Sequence, residues 1–208
     1  MTLKLRRATR AVTGWIHAVR SPRSRAATYV AIGQWSLLGL MLLAVALKPA
    51  FVLRWNEVGL SNYGVHLETG VPYTLALGLG AGLAFASAHS LLALDSTRRR
   101  LRLVLVTYGA LVLMILASTY GYRLNPTLKA VHVTVNVVTV LFLSGTSAWL
   151  AARFPSRSSA GWLVVLVVGL VLAVVDFANL LHVLLVAQLL MGIGFGVLMV
   201  RAVRRCDT

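Results

Sequence analysis

Apolar runs of similar length recur along the chain, and short segments of polar and charged residues separate them. Most of the runs are close to the ~20 residues that an α-helix needs to cross the ~30 Å hydrocarbon core of a bilayer. The pattern therefore predicts membrane-spanning helices. The predicted spans are residues 29–47, 71–94, 103–120, 130–152, 162–180 and 183–200.

Basic residues are distributed very unevenly between the two sides of these spans. If the N-terminus is cytoplasmic, the outer segments hold only Lys48, Arg54, Arg123 and Lys129. The inner segments hold Lys4, Arg6, Arg7, Arg10, Arg20, Arg23, Arg25, Arg98, Arg99, Arg100, Arg102, Arg153, Arg157, Arg201, Arg204 and Arg205. This distribution follows the positive-inside rule. We therefore predict an all-α bundle of six spans with both termini in the cytoplasm.

The composition agrees with a chain that is solvated mainly by lipid. Hydrophobic residues make up 59% of the sequence, charged residues 12%, and the mean hydropathy is +0.84. These values exclude a soluble fold. The net charge of +15 does not indicate a nucleic-acid partner, because the basic residues flank apolar spans without an aromatic-rich RNA or DNA motif. Attraction to anionic lipid headgroups explains them.

Three regions follow from this pattern: a basic cytoplasmic arm (1–28), a six-span domain (29–201) and a cytoplasmic tail (202–208) that holds the single cysteine, Cys206. The first apolar run is long for a signal peptide and follows the arm, so we interpret it as an anchor. The arm is either an amphipathic helix in the membrane plane or an irregular topology signal. Its apolar positions at helical spacing are Leu5, Ala8, Val12, Trp15, Ile16 and Val19.

Short local motifs predict how the spans end and pack. Asp95 precedes a run of arginines, which predicts a helix cap and an acid–base contact. The segment 154–157 contains Pro155 and predicts a turn. The pairs Gly78/Gly82 and Gly192/Gly196 have the spacing that permits close approach of membrane helices.

A polar stripe follows one face of the fourth span. Its members are His132, Asn136, Thr139, Thr146 and Ser147, and Leu143 interrupts it. Polar groups are costly in lipid, so this face is expected to meet protein or water. The stripe predicts hydrogen bonds between helices or, alternatively, a path for a ligand.

Imidazole and carboxylate groups are predicted to collect at the outer ends of the spans. His132 lies near the outer start of span four, Asp176 and His182 flank the outer connection of spans five and six, and His66 lies in the first outer loop. With Glu57 or Glu68, these groups suit a divalent metal such as zinc, or proton handling. His89 lies near the opposite, cytoplasmic side.

Two segments carry a resemblance to a known class. Residues 56–64, with Ser61 and Gly64 as the matching positions, and residues 125–132, where a proline precedes His132, resemble bacterial six-span membrane proteins of unknown function. Those are similar in layout to the DRAM and FRAG-type membrane families. The resemblance covers residues 29 to 201. It implies six helices in a bacterial cytoplasmic membrane and an outer loop tucked against the bundle.

Three functional hypotheses follow. The leading one is a non-catalytic membrane protein that binds a lipid or a partner membrane protein at its outer face, with aromatic residues at headgroup level. The expected binding residues are Trp55, Ser61, Tyr63, Tyr120, Asn136 and Thr139. The second is a metal-dependent lipid hydrolase or transferase, with His66, His132, Asp176 and His182 as ligands and Glu57 or Glu68 as the base. The third is a small-solute or proton-coupled transporter that uses the stripe.

Overall fold

The computed structural model describes residues 25–49, 59–91, 95–178 and 183–207, and their regular structure is entirely helical. The helices are α1 (Arg25–Leu47), α2 (Ser61–Gly64), α3 (Leu67–Ser90), α4 (Ser96–Thr119), α5 (Pro126–Arg153), α6 (Arg157–Phe177) and α7 (Leu184–Asp207). All except α2 are long and apolar enough to cross a membrane. The prediction of six helices with the length and apolar character of membrane spans is therefore confirmed. The basic arm lies almost wholly outside the described residues.

Several helices begin before the apolar runs that predicted them, because capping residues start them in the polar flank. The side chain of Asp95 accepts a hydrogen bond from the backbone N–H of Arg98 at 2.8 Å and also pairs with its guanidinium at 3.4 Å. Asn125 caps α5 in the same way, with Pro126 in the first turn. The predicted cap at Asp95 and the turn before α6 are both confirmed.

Long helices that follow one another in the chain run in opposite directions. The hydroxyl of Ser87, near the end of α3, donates to the carbonyl of Ala26 at the start of α1, at 2.8 Å. Arg153, at the end of α5, donates to Thr97 at the start of α4, at 3.2 Å. One end of the bundle, named here the basic end, carries Arg25, Arg98, Arg99, Arg100, Arg102, Arg153, Arg157, Arg201, Arg204 and Arg205. The other end carries the short helix and is named here the α2 end.

Small residues bring two helix pairs close together. Gly33 of α1 faces Leu83 and Gly80 of α3, and Gly169 of α6 faces the backbone of α7. The glycine pairs singled out in the sequence act differently. Gly78, Gly82 and Gly192 have open space beside them, and Gly196 accommodates the side chain of Gln34. Within the bundle, the predicted close approach therefore occurs at Gly196, where the Gln34 side chain of α1 contacts α7, and not at Gly78, Gly82 or Gly192.

Residues 202–207, which the sequence pattern assigned to a cytoplasmic tail, continue α7. The helix reaches Asp207. Met199, Ala202, Val203 and Cys206 recur at helical spacing and are buried in the core. The apolar face of α7 therefore extends into the segment that the sequence analysis assigned to the tail.

The short helix α2 folds back onto the α2 end of the bundle. Its residues Asn62, Tyr63 and Gly64 are buried. A side chain on Gly64 would overlap Tyr73 and Thr119 at 2.6–2.7 Å, so the close approach requires glycine. The Thr69 hydroxyl donates to the carbonyl of Tyr63 at 2.6 Å. The described part of the loop is thus tucked against the bundle, as the sequence resemblance implied.

Candidate functional site

His132 is the centre of a hydrogen-bond network that joins three helices. Its Nε2 atom lies 2.9 Å from the hydroxyl of Ser61 in α2, and its Nδ1 atom lies 2.8 Å from the hydroxyl of Ser118 in α4. The amide nitrogen of Asn136, one turn further along α5, lies 3.0 Å from Nε2. Because polar groups in a membrane bundle need partners, these bonds fix α2 against α4 and α5.

The partners of His132 determine which ring nitrogen carries its proton. The Ser118 hydroxyl donates to the carbonyl of Ile115 at 3.0 Å, so it accepts from Nδ1–H. The Asn136 amide nitrogen donates to the carbonyl of His132 at 2.8 Å, which fixes it as the donor towards Nε2 as well. Both contacts give a neutral imidazole with the proton on Nδ1. Nε2 is therefore an acceptor for the Ser61 hydroxyl.

Tyr122 covers the imidazole and ties it to α2 by a second route. The two rings are stacked, with centroids 4.9 Å apart and planes 19° apart. The Tyr122 hydroxyl donates to the side chain of Asn62 at 3.2 Å, and the guanidinium of Arg123 lies over the Tyr122 ring. Stacking and hydrogen bonding together shield His132, which is buried.

A cavity of about 410 Å³ lies inside the bundle directly beside this network. Its volume falls in the range of small-molecule binding sites. Side chains of α1, α3, α4, α5 and α7 form its walls, and Leu60 and Ser61 lie at its α2 end. Along α7 it extends from Gln188 to Arg204, about 24 Å by helical rise. Trp35 lines it and is 72% exposed, so the cavity reaches the outer surface of the bundle.

Apolar side chains form most of the cavity wall, and the polar groups occur at defined levels. At the α2 end, the Gln188 side-chain oxygen accepts the backbone N–H of Leu60 at 2.7 Å. Nearer the middle, Gln34 donates to the Tyr108 hydroxyl at 3.2 Å. At the basic end, Arg201 and Arg204 line the cavity. Its two ends therefore differ: one is neutral and hydrogen-bonded, the other positively charged.

Three of the predicted binding residues line the cavity: Ser61, Asn136 and Thr139. The prediction for Tyr63 is not supported, because α2 folds inward and buries its side chain completely away from the cavity. That burial raises the pKa of the Tyr63 hydroxyl. Tyr120 is exposed and bonds Thr74 outside the cavity. Trp55 lies outside the described residues.

The stripe on α5 faces the protein interior, as predicted. His132, Thr139, Thr146 and Ser147 are buried. Leu143, which interrupts the stripe in sequence, lines the cavity together with Asn136 and Thr139. The part of the stripe near the α2 end therefore borders the cavity, whereas Thr146 and Ser147 are packed away from it.

The proposed metal-site residues that the structure describes lie towards the α2 end, and Asp176 and Glu68 already hold other partners. One carboxylate oxygen of Asp176 accepts the backbone N–H groups of Val183 and Leu184 at 2.8 and 3.1 Å and so caps α7. Glu68 pairs with Lys48 at 2.9 Å. Within the described ranges, no three His, Cys, Asp or Glu side chains come together as a metal site. Glu57 and His182 lie outside those ranges.

His66 stands at the start of α3, near charged groups. Burial lowers the pKa of its imidazole below the ordinary value, and the positive charges of Lys48 and Arg123 lower it further, against a raising effect of Glu68. Burial and the nearby positive charges thus favour the neutral form of the His66 imidazole.

Several residues that complete the site were not predicted from the sequence. Gln34 and Gln188 are polar amides within apolar runs, which is a signal that such groups have buried partners. The roles of Ser118 and Tyr122 follow only from the way α4 and its loop pack against α5. Arg201 and Arg204 were counted as topology signals, yet both line the cavity.

Comparison of the chain with protein-family models, curated proteins and solved structures finds no match. The resemblance to six-span families therefore stays a prediction from short sequence motifs. The geometry of the cavity and of the His132 network is what indicates function.

Proposed function

We propose that the protein is an integral membrane protein that binds a lipid in the cavity between its helices, without converting it chemically. The observation that carries this proposal is the cavity itself, about 410 Å³ in volume and walled mainly by apolar side chains. Its extent along α7 is about 24 Å, comparable with the ~30 Å hydrocarbon core. The exposed Trp35 marks a route by which a chain can enter from the bilayer.

The chemistry of the wall favours a lipid over an aqueous solute. A path for a solute or for protons needs polar groups along its whole length. Between the α2 end and the arginines, Leu37, Leu77 and Leu143 line the cavity, and the polar Gln34 and Tyr108 of this stretch bond each other. Several polar side chains of the wall already bond other protein groups. The cavity therefore fits an apolar chain better than a transported solute.

The orientation of the bundle is part of the proposal. We place the basic end in the cytoplasm and the α2 end on the outer face of a bacterial cytoplasmic membrane, because cytoplasmic flanks of membrane helices are rich in arginine and lysine. The arginines at the basic end support this assignment. The α2 network around His132 would then close the cavity on the outer side.

Filling the cavity is expected to expel the lipid. Gly192 lines the cavity, and a Cβ atom there would meet no neighbouring atom within 4 Å, so the side chain that Gly192→Leu introduces begins in open space. Each methylene group of the lipid that is displaced from the cavity makes the binding free energy less favourable by about 0.8 kcal/mol. The amount of lipid retained through purification should fall about tenfold or more, measured by lipid mass spectrometry of the detergent-purified protein.

Gly39→Leu is the matched control. Gly39 also has no atom within 4 Å of an added Cβ, but it is exposed on α1 and does not line the cavity. This variant should retain as much lipid as the wild-type protein. Equal retention in both variants, or wild-type protein that carries no defined lipid, would contradict the proposal.

A second candidate function, hydrolysis of a lipid ester in the same cavity, has one specific observation in its favour. The hydroxyl of Ser61 lines the cavity and lies 2.9 Å from the unprotonated Nε2 of His132. A base in that position can take the hydroxyl proton while Oγ attacks an ester carbonyl, and can return it to the leaving alcohol. Water then releases the acyl group from Ser61. Ser118 takes the orienting position that a carboxylate holds in Ser-His-Asp triads.

A serine-directed fluorophosphonate probe tests this second candidate. Hydrolysis predicts labelling of the wild-type protein and none of Ser61→Ala. The labelling rate of His132→Gln should fall by about 100-fold or more, the usual contribution of a general base. Ser90→Ala is the control, because Ser90 bonds only its own helix, at the basic end. Wild-type protein that resists the probe while Ser61 is intact would leave lipid binding as the function.

A further inference from the structure

The arginines that line the cavity provide information about the lipid headgroup. Arg201 and Arg204 lie in the last turns of α7 and both contribute to the cavity wall. The Cα–Cβ bonds of a helix tilt towards its N-terminus, so these side chains lean from the basic end towards the cavity. A topology signal requires only that basic residues flank a span, whereas these two arginines also line the cavity.

These guanidinium groups have no acidic partner among the ion pairs that the structure describes. Those pairs are Lys48–Glu68 and Arg98–Asp95. The contact of Arg201 is with a neutral group, the hydroxyl of Ser158. A guanidinium beside an apolar wall keeps much of its donor capacity and is stabilised by an anionic acceptor such as a phosphate, two of whose oxygens the planar guanidinium can bind through parallel N–H groups.

The α2 end of the cavity is lined by uncharged side chains. Ser61, Asn136 and Gln188 are neutral, and the Asn136 and Gln188 side chains are engaged in hydrogen bonds within the protein. A ligand that matches both ends has an apolar body and one anionic group at the basic end. A zwitterionic headgroup would bring a second, positive charge towards the arginines.

We propose that the cavity binds an anionic phospholipid, with its phosphate held by Arg201 and Arg204 and an acyl chain extending towards Ser61. This inference rests on the proposed lipid-binding function and specifies the lipid class. In the proposed orientation the headgroup belongs to the cytoplasmic leaflet. The chain would run along α7 between the apolar side chains of α1 and α5.

The test compares two lipids that differ only in their headgroups. Detergent-purified full-length protein is mixed with equal amounts of phosphatidylglycerol and phosphatidylcholine with identical acyl chains, and each bound lipid is counted by native mass spectrometry. The wild-type protein should prefer phosphatidylglycerol by about tenfold, because both lipids offer a phosphate but the choline cation of phosphatidylcholine would lie near the two guanidinium groups. Excess inorganic phosphate should not displace the lipid, because phosphate lacks the apolar chain.

Variants separate a local contact from the bulk charge of the basic end. Arg201→Gln with Arg204→Gln should reduce the preference to about one while total bound lipid remains, because apolar contacts still retain the chain. Arg204→Gln alone, at an exposed position, should reduce the preference for phosphatidylglycerol only in part. Arg100→Gln removes the same charge from an exposed site outside the cavity and should leave the preference unchanged.

Each result has a distinct meaning. Wild-type protein that binds both lipids equally overturns the headgroup assignment and leaves lipid binding intact. A loss of preference in Arg100→Gln as large as in the double variant attributes selectivity to bulk charge and also overturns it. Protein that binds neither lipid contradicts the proposed function itself. Displacement by inorganic phosphate would identify a site for the free anion.

Discussion

His132→Ala is expected to lower the free energy of unfolding by about 2–3 kcal/mol, because it removes the shared partner of several buried polar groups. The hydroxyls of Ser61 and Ser118 and the amide of Asn136 each bond the imidazole in the native protein. The Tyr122 ring also loses its stacking partner. The measurement is the unfolding free energy in mixed micelles, followed by tryptophan fluorescence.

His89→Ala provides the control for this substitution. His89 is exposed in the last turn of α3 at the basic end, so its removal should change stability by less than about 0.5 kcal/mol. His132→Gln should be intermediate, since an amide replaces part of the hydrogen bonding. A His132→Ala protein as stable as His89→Ala would show that α2 is held to the bundle without the network.

Gly169→Ala should destabilise the bundle, whereas Gly161→Ala on the same helix should not. An added Cβ at Gly169 would lie 2.8 Å from the carbonyl oxygen of Ala187 and 2.9 Å from the backbone nitrogen of Met191. Both are backbone atoms of α7, so α6 and α7 must separate. Overpacking of this kind typically costs about 1–3 kcal/mol.

Gly161 is the matched position because an added Cβ there meets no neighbouring atom within 4 Å. Alanine has a higher helix propensity than glycine, so Gly161→Ala should gain up to about 1 kcal/mol. The two variants should therefore differ by about 2–3 kcal/mol in the same unfolding measurement. Equal stabilities would mean that α6 and α7 do not approach as closely as the structure indicates.

The sequence was sufficient for the helices but not for the faces that pack. Long apolar runs predict spans because a segment that crosses the hydrocarbon core must form its backbone hydrogen bonds internally. An apolar helix of sufficient length meets this requirement. Glycine spacing predicted a close approach correctly only at Gly196. Gly78 and Gly82 have the expected spacing and open space beside them, while the isolated Gly169 provides a close approach. Which face of a helix meets a neighbour depends on every helix around it.

The candidate site was predictable only in part, for a similar reason. Helical periodicity placed His132, Asn136 and Thr139 on one face, and that face does turn inward. Counting residues along the spans also placed Asp176 and Glu68 at the correct end of the bundle. It did not predict that Asp176 caps α7 or that Glu68 pairs with Lys48. Counting residues predicts the depth of a side chain along the membrane normal. It does not predict which side chains at the same depth contact one another.

The sequence by itself determined the helical class, the six spanning segments and the concentration of arginine at one end of the bundle. These properties depend on local composition and on the length of each apolar run. Only the tertiary structure decided that α2 folds inward to meet His132 and that Arg201 and Arg204 share a cavity with Ser61. Such contacts join residues far apart in the chain, and they arise because side-chain shape and hydrogen bonding select one arrangement of the helices.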